Sequence, residues 1–175
     1  YLVYRDLKLA NLILERGSGR LRLVDLGFAK RLESASGSSG LKRTYSAVGT
    51  MHAMAPEMLS YTEEVNEDGF QEVGYFFSVD WWALGILMCE LLAGVPPFGY
   101  RDGDVAGSRI EDLAKQSPEG LDWTRLQPVI QLAGAQDFVA GLLCADPELR
   151  LGTRSGADEV RAHSLFKSVD WELLS

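Results

Sequence analysis

The chain has 175 residues, of which 46% are hydrophobic and 24% are charged, enough for one globular domain with a core. Its net charge of −8 argues against binding to nucleic acid or anionic membranes, and leaves room for a basic peptide. Two cysteines without CxxC spacing and only two histidines exclude a disulfide framework and a multi-histidine metal site. We therefore expect a protein of a reducing compartment, intracellular and cytoplasmic.

The N-terminal part of the sequence predicts short strands around a polar loop. Tyr1–Tyr4 has the pattern of a strand, and Leu12–Leu14 and Leu21–Val24 predict a hairpin with a glycine-containing turn at Glu15–Arg20. The polar stretch Arg5–Asn11 lies directly before the apolar hairpin. Such a loop, held in place by a strand, is typical of a catalytic loop.

The remainder predicts irregular segments followed by helices. Residues 34–40 are small and polar and indicate a mobile segment, while residues 60–75 are acidic and indicate a solvated loop. The predicted helices are Val79–Ala93, stopped by Gly94, then Ile110–Lys115, Ala135–Cys144 and Asp158–His163. Along the first of these helices, the predicted core residues are Trp82, Leu84, Ile86, Leu87 and Leu91. The order of elements predicts an α+β fold that is mostly helical.

Five motifs resemble the protein-kinase signature in order and spacing. They are Tyr4-Arg5-Asp6-Leu7-Lys8-x-x-Asn11, Asp25-Leu26-Gly27, Ala55-Pro56-Glu57, Ser78–Gly85 and Asp146–Gly152. Leu23–Lys30 and Phe166–Trp171 resemble the cyclic-nucleotide-dependent branch of the AGC Ser/Thr kinases most. The resemblance implies that residues 1–175 form an incomplete kinase domain, a C-terminal lobe with small β-hairpins at its N-terminal edge and an activation segment at 25–57.

The resemblance assigns the catalytic and cofactor-binding residues of an ATP-dependent phosphoryl transfer to protein Ser/Thr. It implies that Asp6 orients the substrate hydroxyl, that Lys8 neutralises charge on the transferring phosphate, and that Thr50 bonds both. Asn11 and Asp25 would supply oxygen ligands to Mg²⁺ and so bind ATP. Taken singly, a loop aspartate is more often a turn or cap residue, and Thr50 could be an ordinary turn threonine.

Three further residues would form a regulatory phosphate site by resemblance. Ser46 falls where related kinases carry the activation-loop phosphate, and Arg5 and Lys30 are the matching basic partners. An unmodified loop serine is an equally good interpretation of Ser46.

Three residues have structural roles by resemblance. Glu57 and Arg150 would form a buried ion pair that ties the activation segment to the helices. Asp80 would bond the backbone of the catalytic loop from the central helix.

The substrate site departs from the pattern of the branch. Leu9-Ala10 replaces Pro-Glu, and Met51–Met54 replaces Pro-Glu-Tyr-Leu, which removes two carboxylates that help to hold a substrate arginine. Glu90 remains at the position of a third acidic contact. Met51 and Met54 are predicted to line an adaptable apolar pocket for a substrate side chain.

Two functional interpretations follow. The sequence contains no glycine-rich loop and no VAIK-like lysine, so we expect an N-terminal lobe upstream of Tyr1 and expect the isolated chain to be inactive. In the first interpretation, the chain is the catalytic lobe of an active kinase acting on protein or peptide substrates. In the second, it is an inactive kinase lobe that serves as a binding module.

Overall fold

The structure, a computed structural model, describes residues 1–32, 44, 46, 48–59, 64–66, 69–71, 75–98 and 121–174. Over these residues the chain is mostly helical with small antiparallel sheets, which confirms the predicted α+β class. The helices are α1 (Pro56–Leu59), α2 (Ser78–Ala93), α3 (Gln127–Gln131), α4 (Ala135–Leu142) and α5 (Ala157–Arg161). Short 3-10 turns occur at Leu9–Asn11, Met51–Ala53, Ser164–Phe166 and Glu172–Leu174.

Each sheet that the structure describes is a two-stranded antiparallel pair. Strand β1 (Leu2–Val3) pairs with β4 (Lys30–Arg31). The pair of Leu2 with Arg31 ties the segment before the polar loop to a residue 29 positions later. Strand β2 (Leu12–Leu14) pairs with β3 (Leu21–Leu23), and β5 (Glu64–Asn66) with β6 (Gly69–Gln71). The predicted hairpin after the polar loop is confirmed.

Helix α2 is the centre of the fold because its apolar residues lie on all sides. Trp82 and Ile86 are each 1% exposed, and α3 and α4 both pack against the helix. Gly85 lets α4 come close, since a Cβ at this position would lie 2.7 Å from the Leu143 side chain. The helix ends at Gly94, whose φ of 72° is a left-handed cap conformation that glycine adopts without strain. No helix in the described ranges combines the length and apolarity needed to cross a membrane.

Several predicted elements differ from the structure. The segment 60–75 contains the hairpin β5–β6, which the acidic composition concealed although Val65 and Phe70 favour strands. Helix α4 ends at Leu142 rather than Cys144, and beyond its end the carbonyl groups of Cys144 and Ala145 accept hydrogen bonds from Arg150.

Two more differences concern side-chain burial and helix position. Leu91 was predicted in the core but is 56% exposed, since it lies on a face of α2 that the described residues leave uncovered. The last predicted helix, Asp158–His163, is displaced to Ala157–Arg161. The predicted segments 34–40 and Ile110–Lys115 lie outside the described residues.

Candidate active site

The polar loop between β1 and β2 is fixed by a carboxylate from the central helix. Asp80, in the first turn of α2, accepts the backbone N–H of Tyr4 at 2.7 Å and that of Arg5 at 2.8 Å. Burial is the main influence on Asp80 and raises the pKa of its carboxyl, although both backbone hydrogen bonds oppose this shift. Arg5 has a φ of 70°, an uncommon value for a residue with a side chain, and the two bonds to Asp80 hold it there.

Asp6 is the centre of a hydrogen-bond network at the start of this loop. Its Oδ1 accepts from Thr50 Oγ1 at 2.6 Å, and its Oδ2 accepts from Asn11 Nδ2 at 2.8 Å. Lys8 Nζ lies 2.9 Å from Oδ2 and also donates to Thr50 Oγ1 at 2.7 Å. The structure therefore brings together four of the predicted site residues, Asp6, Lys8, Asn11 and Thr50, although Asp6 and Thr50 are 44 positions apart in the sequence.

The segment that carries Thr50 reaches the loop because of a glycine. Gly49 has a φ of 110°, and a Cβ built on it would lie 2.1 Å from the carbonyl oxygen of Arg5. A side chain at position 49 would therefore push the segment away from the loop. Thr50 would then lose its short contact to Asp6.

The network sets the charge state of Asp6, which is 2% exposed. Burial is the largest single influence and would raise its pKa, but hydrogen bonds from Thr50, Lys8 and Asn11, with the charge of Lys8, together outweigh it. The pKa of Asp6 is therefore below its ordinary value. At neutral pH the side chain is an ionised carboxylate with ordered partners.

Asp25 directly follows Val24, which is hydrogen-bonded to Asn11, and offers a second carboxylate. It follows β3, has a φ of 58°, and is exposed, with its Oδ1 accepting the backbone N–H of Gly27 at 3.1 Å. The preceding residue, Val24, donates its N–H to the carbonyl oxygen of Asn11 at 3.0 Å, and its own carbonyl accepts from the Tyr4 hydroxyl. These bonds connect the two segments that carry Asp25 and Asn11.

The donor set at Asn11 and Asp25 fits Mg²⁺ bound together with a nucleotide. The amide nitrogen of Asn11 faces Asp6, which turns the amide oxygen away from that carboxylate. Within the described ranges, no group of three or more His, Cys, Asp and Glu side chains could hold a metal ion. Magnesium in nucleotide sites is typically held by one or two protein oxygens, with phosphates and water completing the shell.

Arg5 connects the loop to the predicted phosphorylation site. Its Nη1 donates to Ser46 Oγ at 2.8 Å and to the Tyr75 hydroxyl at 3.3 Å, and its Nε donates to the Phe28 carbonyl at 2.6 Å. Ser46 is an exposed residue. Lys30 Nζ donates to the fully buried Thr44 at 3.0 Å instead of to Ser46.

Glu57 and Arg150 form a bidentate ion pair between α1 and the segment after α4. The two Nη atoms of Arg150 donate to the two carboxylate oxygens of Glu57 at 2.6 and 2.9 Å. Arg150 is 0% exposed, donates to the Ser78 carbonyl at 3.0 Å, and stacks over the Trp82 ring at 5.2 Å. The guanidinium thus joins α1, α2 and the segment after α4.

The predicted substrate residues lie near the far end of α2. Glu90 is paired with His52, whose Nε2 lies 3.1 Å from Glu90 Oε1. Met51 and His52 belong to the 3-10 turn that follows Thr50, and Met54 comes directly after this turn and packs against the core. All three are half-buried.

Sequence reasoning missed three residues of this region. Tyr75 donates to the Ser46 carbonyl, and Thr44 pairs with Tyr75 in a β-bridge. The aromatic run Tyr75–Phe77 directly before α2 indicates that Tyr75 could be buried, but the sequence pattern assigns this residue to the acidic loop at 60–75. No pattern in the sequence indicated the pairing of His52 with Glu90.

Comparison with known proteins identifies the family. Residues 1–166 match the family described as "Protein kinase domain". The chain is 38% identical over 178 residues to human "Ribosomal protein S6 kinase alpha-4", covering 99% of this chain and 20% of the relative. It is 35% identical over 172 residues to mouse "cAMP-dependent protein kinase catalytic subunit PRKX", covering 98% of this chain and 40% of the relative.

A third relative extends this comparison to a distant organism. The "cAMP-dependent protein kinase catalytic subunit" of Dictyostelium discoideum is 36% identical over 174 residues, covering 99% of this chain and 22% of the relative. The chain therefore spans between 20% and 40% of the length of these three proteins. The matches extend through all five sequence motifs, and the chain belongs to the protein kinase family, in its AGC group of Ser/Thr kinases.

Proposed function

We propose that this chain provides the catalytic loop and activation segment of an ATP-dependent Ser/Thr protein kinase. The observation that carries the proposal is the convergence of Thr50, Lys8 and Asn11 on the buried carboxylate of Asp6. An ionised, oriented carboxylate beside a lysine is what transfer to a hydroxyl needs, since the hydroxyl must be positioned while charge on the phosphate is neutralised.

Each residue of the network has one task in the proposed reaction. Asp6 accepts a hydrogen bond from the substrate hydroxyl and orients its oxygen for in-line attack. Lys8, held by Thr50, neutralises charge near that position. Asn11 and Asp25 would hold Mg²⁺, which when bound supplies positive charge to the ATP phosphates.

The activation segment at 25–57 would regulate this site through Ser46. A phosphate on Ser46 would carry about two negative charges within reach of Arg5, which already donates to the unmodified hydroxyl. Lys30, held near Thr44, is the second candidate partner. We assign Glu57, Arg150 and Asp80 structural roles, because their contacts fix the backbone around the site.

The test is phosphate transfer by the protein expressed from its complete coding sequence. With radiolabelled ATP and Mg²⁺, we expect label on a mixed-sequence peptide library containing Ser and Thr, and much less on a matched library containing only Tyr. Lysine after Asp-Leu is the pattern of Ser/Thr kinases. Transfer that continues after chelation of Mg²⁺, or that favours Tyr, would contradict the proposal, and peptide binding without transfer would favour the binding-module interpretation.

A further inference from the structure

A small pocket adjoins the catalytic loop on the side of the far end of α2. Its volume is about 350 Å³, and its lining includes Lys8, Leu9, Ala10, His52, Glu90 and Pro96. The loop therefore contributes to two sites at once, because Lys8 reaches Asp6 with its Nζ while the following residues face this pocket.

The location of the pocket makes it accessible to a bound peptide. Lys8 is both a pocket wall and a direct partner of Asp6, so a hydroxyl placed at Asp6 lies within a few residues of the pocket. A peptide residue spans at most about 3.3–3.6 Å in extended form, so neighbours of the acceptor residue can reach it. This step rests on the proposed function, since it assumes that the acceptor hydroxyl binds at Asp6.

The negative charge of Glu90 in this pocket already has a partner within the chain, the imidazole of His52. Glu90 is the carboxylate among the lining residues, and its Oε1 lies 3.1 Å from His52 Nε2. The side chains of His52 and Glu90 are 20% and 16% exposed, so the pair is partly withdrawn from water. A neutral imidazole donates an N–H to this oxygen, and a protonated one adds a charge, so the carboxylate has a partner in either state.

A guanidinium would be poorly accommodated under these conditions. Its charge would lie near the ammonium group of Lys8, whose own carboxylate partner is Asp6, and binding to Glu90 would require the half-buried His52 to give up its partner. An uncharged side chain avoids this cost. It would contact Leu9, which is 44% exposed, together with Ala10 and Pro96.

We propose that His52 is a specificity-determining residue: by pairing with Glu90 it closes this pocket to an arginine of the substrate and leaves it suited to an uncharged apolar side chain. Removing the imidazole would expose Glu90 to the pocket. The same chain would then accept arginine there.

The test uses the protein expressed from its complete coding sequence and two small probes, N-acetyl-arginine amide and N-acetyl-norleucine amide, which differ in charge at similar length. Binding is followed by NMR of the methionine methyl groups, because Met51 is adjacent to His52 in sequence while the buried Met58 reports on the fold. The proteins compared are wild type, His52→Ala, and His52→Ala combined with Glu90→Gln. His163→Ala is the matched control, since His163 forms the equivalent 3.1 Å pair with Asp137 outside this pocket.

We expect His52→Ala to bind the arginine probe about tenfold more tightly than wild type, as a newly accessible carboxylate gains a charge-assisted bond. The norleucine probe should change little, His163→Ala should behave as wild type, and Glu90→Gln should abolish the gain. An arginine affinity that is the same in wild type and His52→Ala overturns the proposal, including the case in which neither binds detectably. So does a gain that survives Glu90→Gln.

Two controls separate this result from other failures. His52→Thr is prepared alongside His52→Ala, so that a second variant without the imidazole is at hand if the first does not fold. The Met58 resonance and the thermal unfolding midpoint of each variant show whether its fold is kept. The probe experiment contains no ATP and requires no transfer. A kinase that fails the transfer assay but shows the arginine gain would therefore contradict the proposed function and keep the role of His52.

Discussion

The two ends of the central helix α2 are built differently. At its N-terminal end, Asp80 accepts two backbone N–H groups of the catalytic loop, and the Ser78 carbonyl accepts from the fully buried Arg150. At its C-terminal end, the side chain of Glu90 lies 3.1 Å from His52 Nε2, and the next residue, Leu91, is 56% exposed. The contacts at the N-terminal end are hydrogen bonds to or from backbone groups, whereas the contact at the C-terminal end is a pair of side chains beside a pocket.

The N-terminal end of α2 stabilises the backbone of the loop, whereas the C-terminal end is where we propose that a substrate side chain binds. Groups that bond the backbone of the catalytic loop fix where Asp6 lies, and changing them moves the whole site. A half-buried pair at a pocket wall can be exchanged with small effects on the fold, so it is suited to choosing a substrate. Mutations at the N-terminal end of α2 should therefore affect stability strongly, and mutations at its C-terminal end should affect binding.

The largest effect on stability is expected from Arg150→Met. This change leaves the Glu57 carboxylate, whose side chain is 12% exposed, without its bidentate partner. Breaking such a pair from one side costs about 3–5 kcal/mol. Urea unfolding should show this loss, and the exposed Arg16→Met, in the hairpin turn, should change stability by less than about 0.5 kcal/mol. A loss below about 1 kcal/mol for Arg150→Met would contradict the scaffold role.

A smaller loss is expected from Asp80→Asn. The amide keeps the shape of the side chain but retains one acceptor oxygen, so the N–H of Tyr4 or Arg5 loses its partner. An unsatisfied buried N–H costs about 1–3 kcal/mol. Asp170→Asn is the matched control, an exposed residue near the C-terminal turn. Equal unfolding free energies for the two variants would show that Asp80 does not fix the loop.

The smallest expected effect is on the pH dependence of the unfolding free energy, in which Asp6 and Asp80 should act in opposite directions. The pKa of Asp6 is lowered on folding, so its contribution to stability is present above the ordinary value of 3.8 and is lost as pH falls through the lower folded pKa. The pKa of Asp80 is raised, so its contribution is present at low pH and is lost as pH rises. Between about pH 3 and pH 6, Asp6→Asn should reduce the loss of stability in acid and Asp80→Asn should increase it.

Urea unfolding at each pH provides the measurement for both variants. The wild-type curve should lie between those of the two variants in slope. Parallel slopes for all three proteins would show that neither carboxyl changes its pKa on folding.

Much of the fold could be predicted because the signals were local. The pattern of apolar residues and Gly94 predicted α2 to within one residue of its observed start, and the glycines of the turn at 15–20 predicted the hairpin β2–β3. The sequence also contained the loop from Arg5 to Asn11 as one continuous stretch. These elements depend on spacing along the chain.

Features that depend on distant residues could not be predicted in the same way. Beyond the end of α4, the carbonyl of Cys144 accepts a hydrogen bond from the distant Arg150, and the burial of Leu91 depends on which segment covers α2. The pair of His52 with Glu90 joins residues 38 positions apart. Such a contact has no signature in either local stretch.

The most direct test of the central claim is the rate of phosphate transfer by Asp6→Asn in the complete protein at saturating ATP and peptide. We predict a fall of about 10²- to 10⁴-fold in kcat, with the dissociation constant of ATP little changed, because in the proposed reaction Asp6 orients the hydroxyl and does not hold the nucleotide. Asp170→Asn should retain the wild-type rate. A turnover by Asp6→Asn equal to that of Asp170→Asn would contradict the claim.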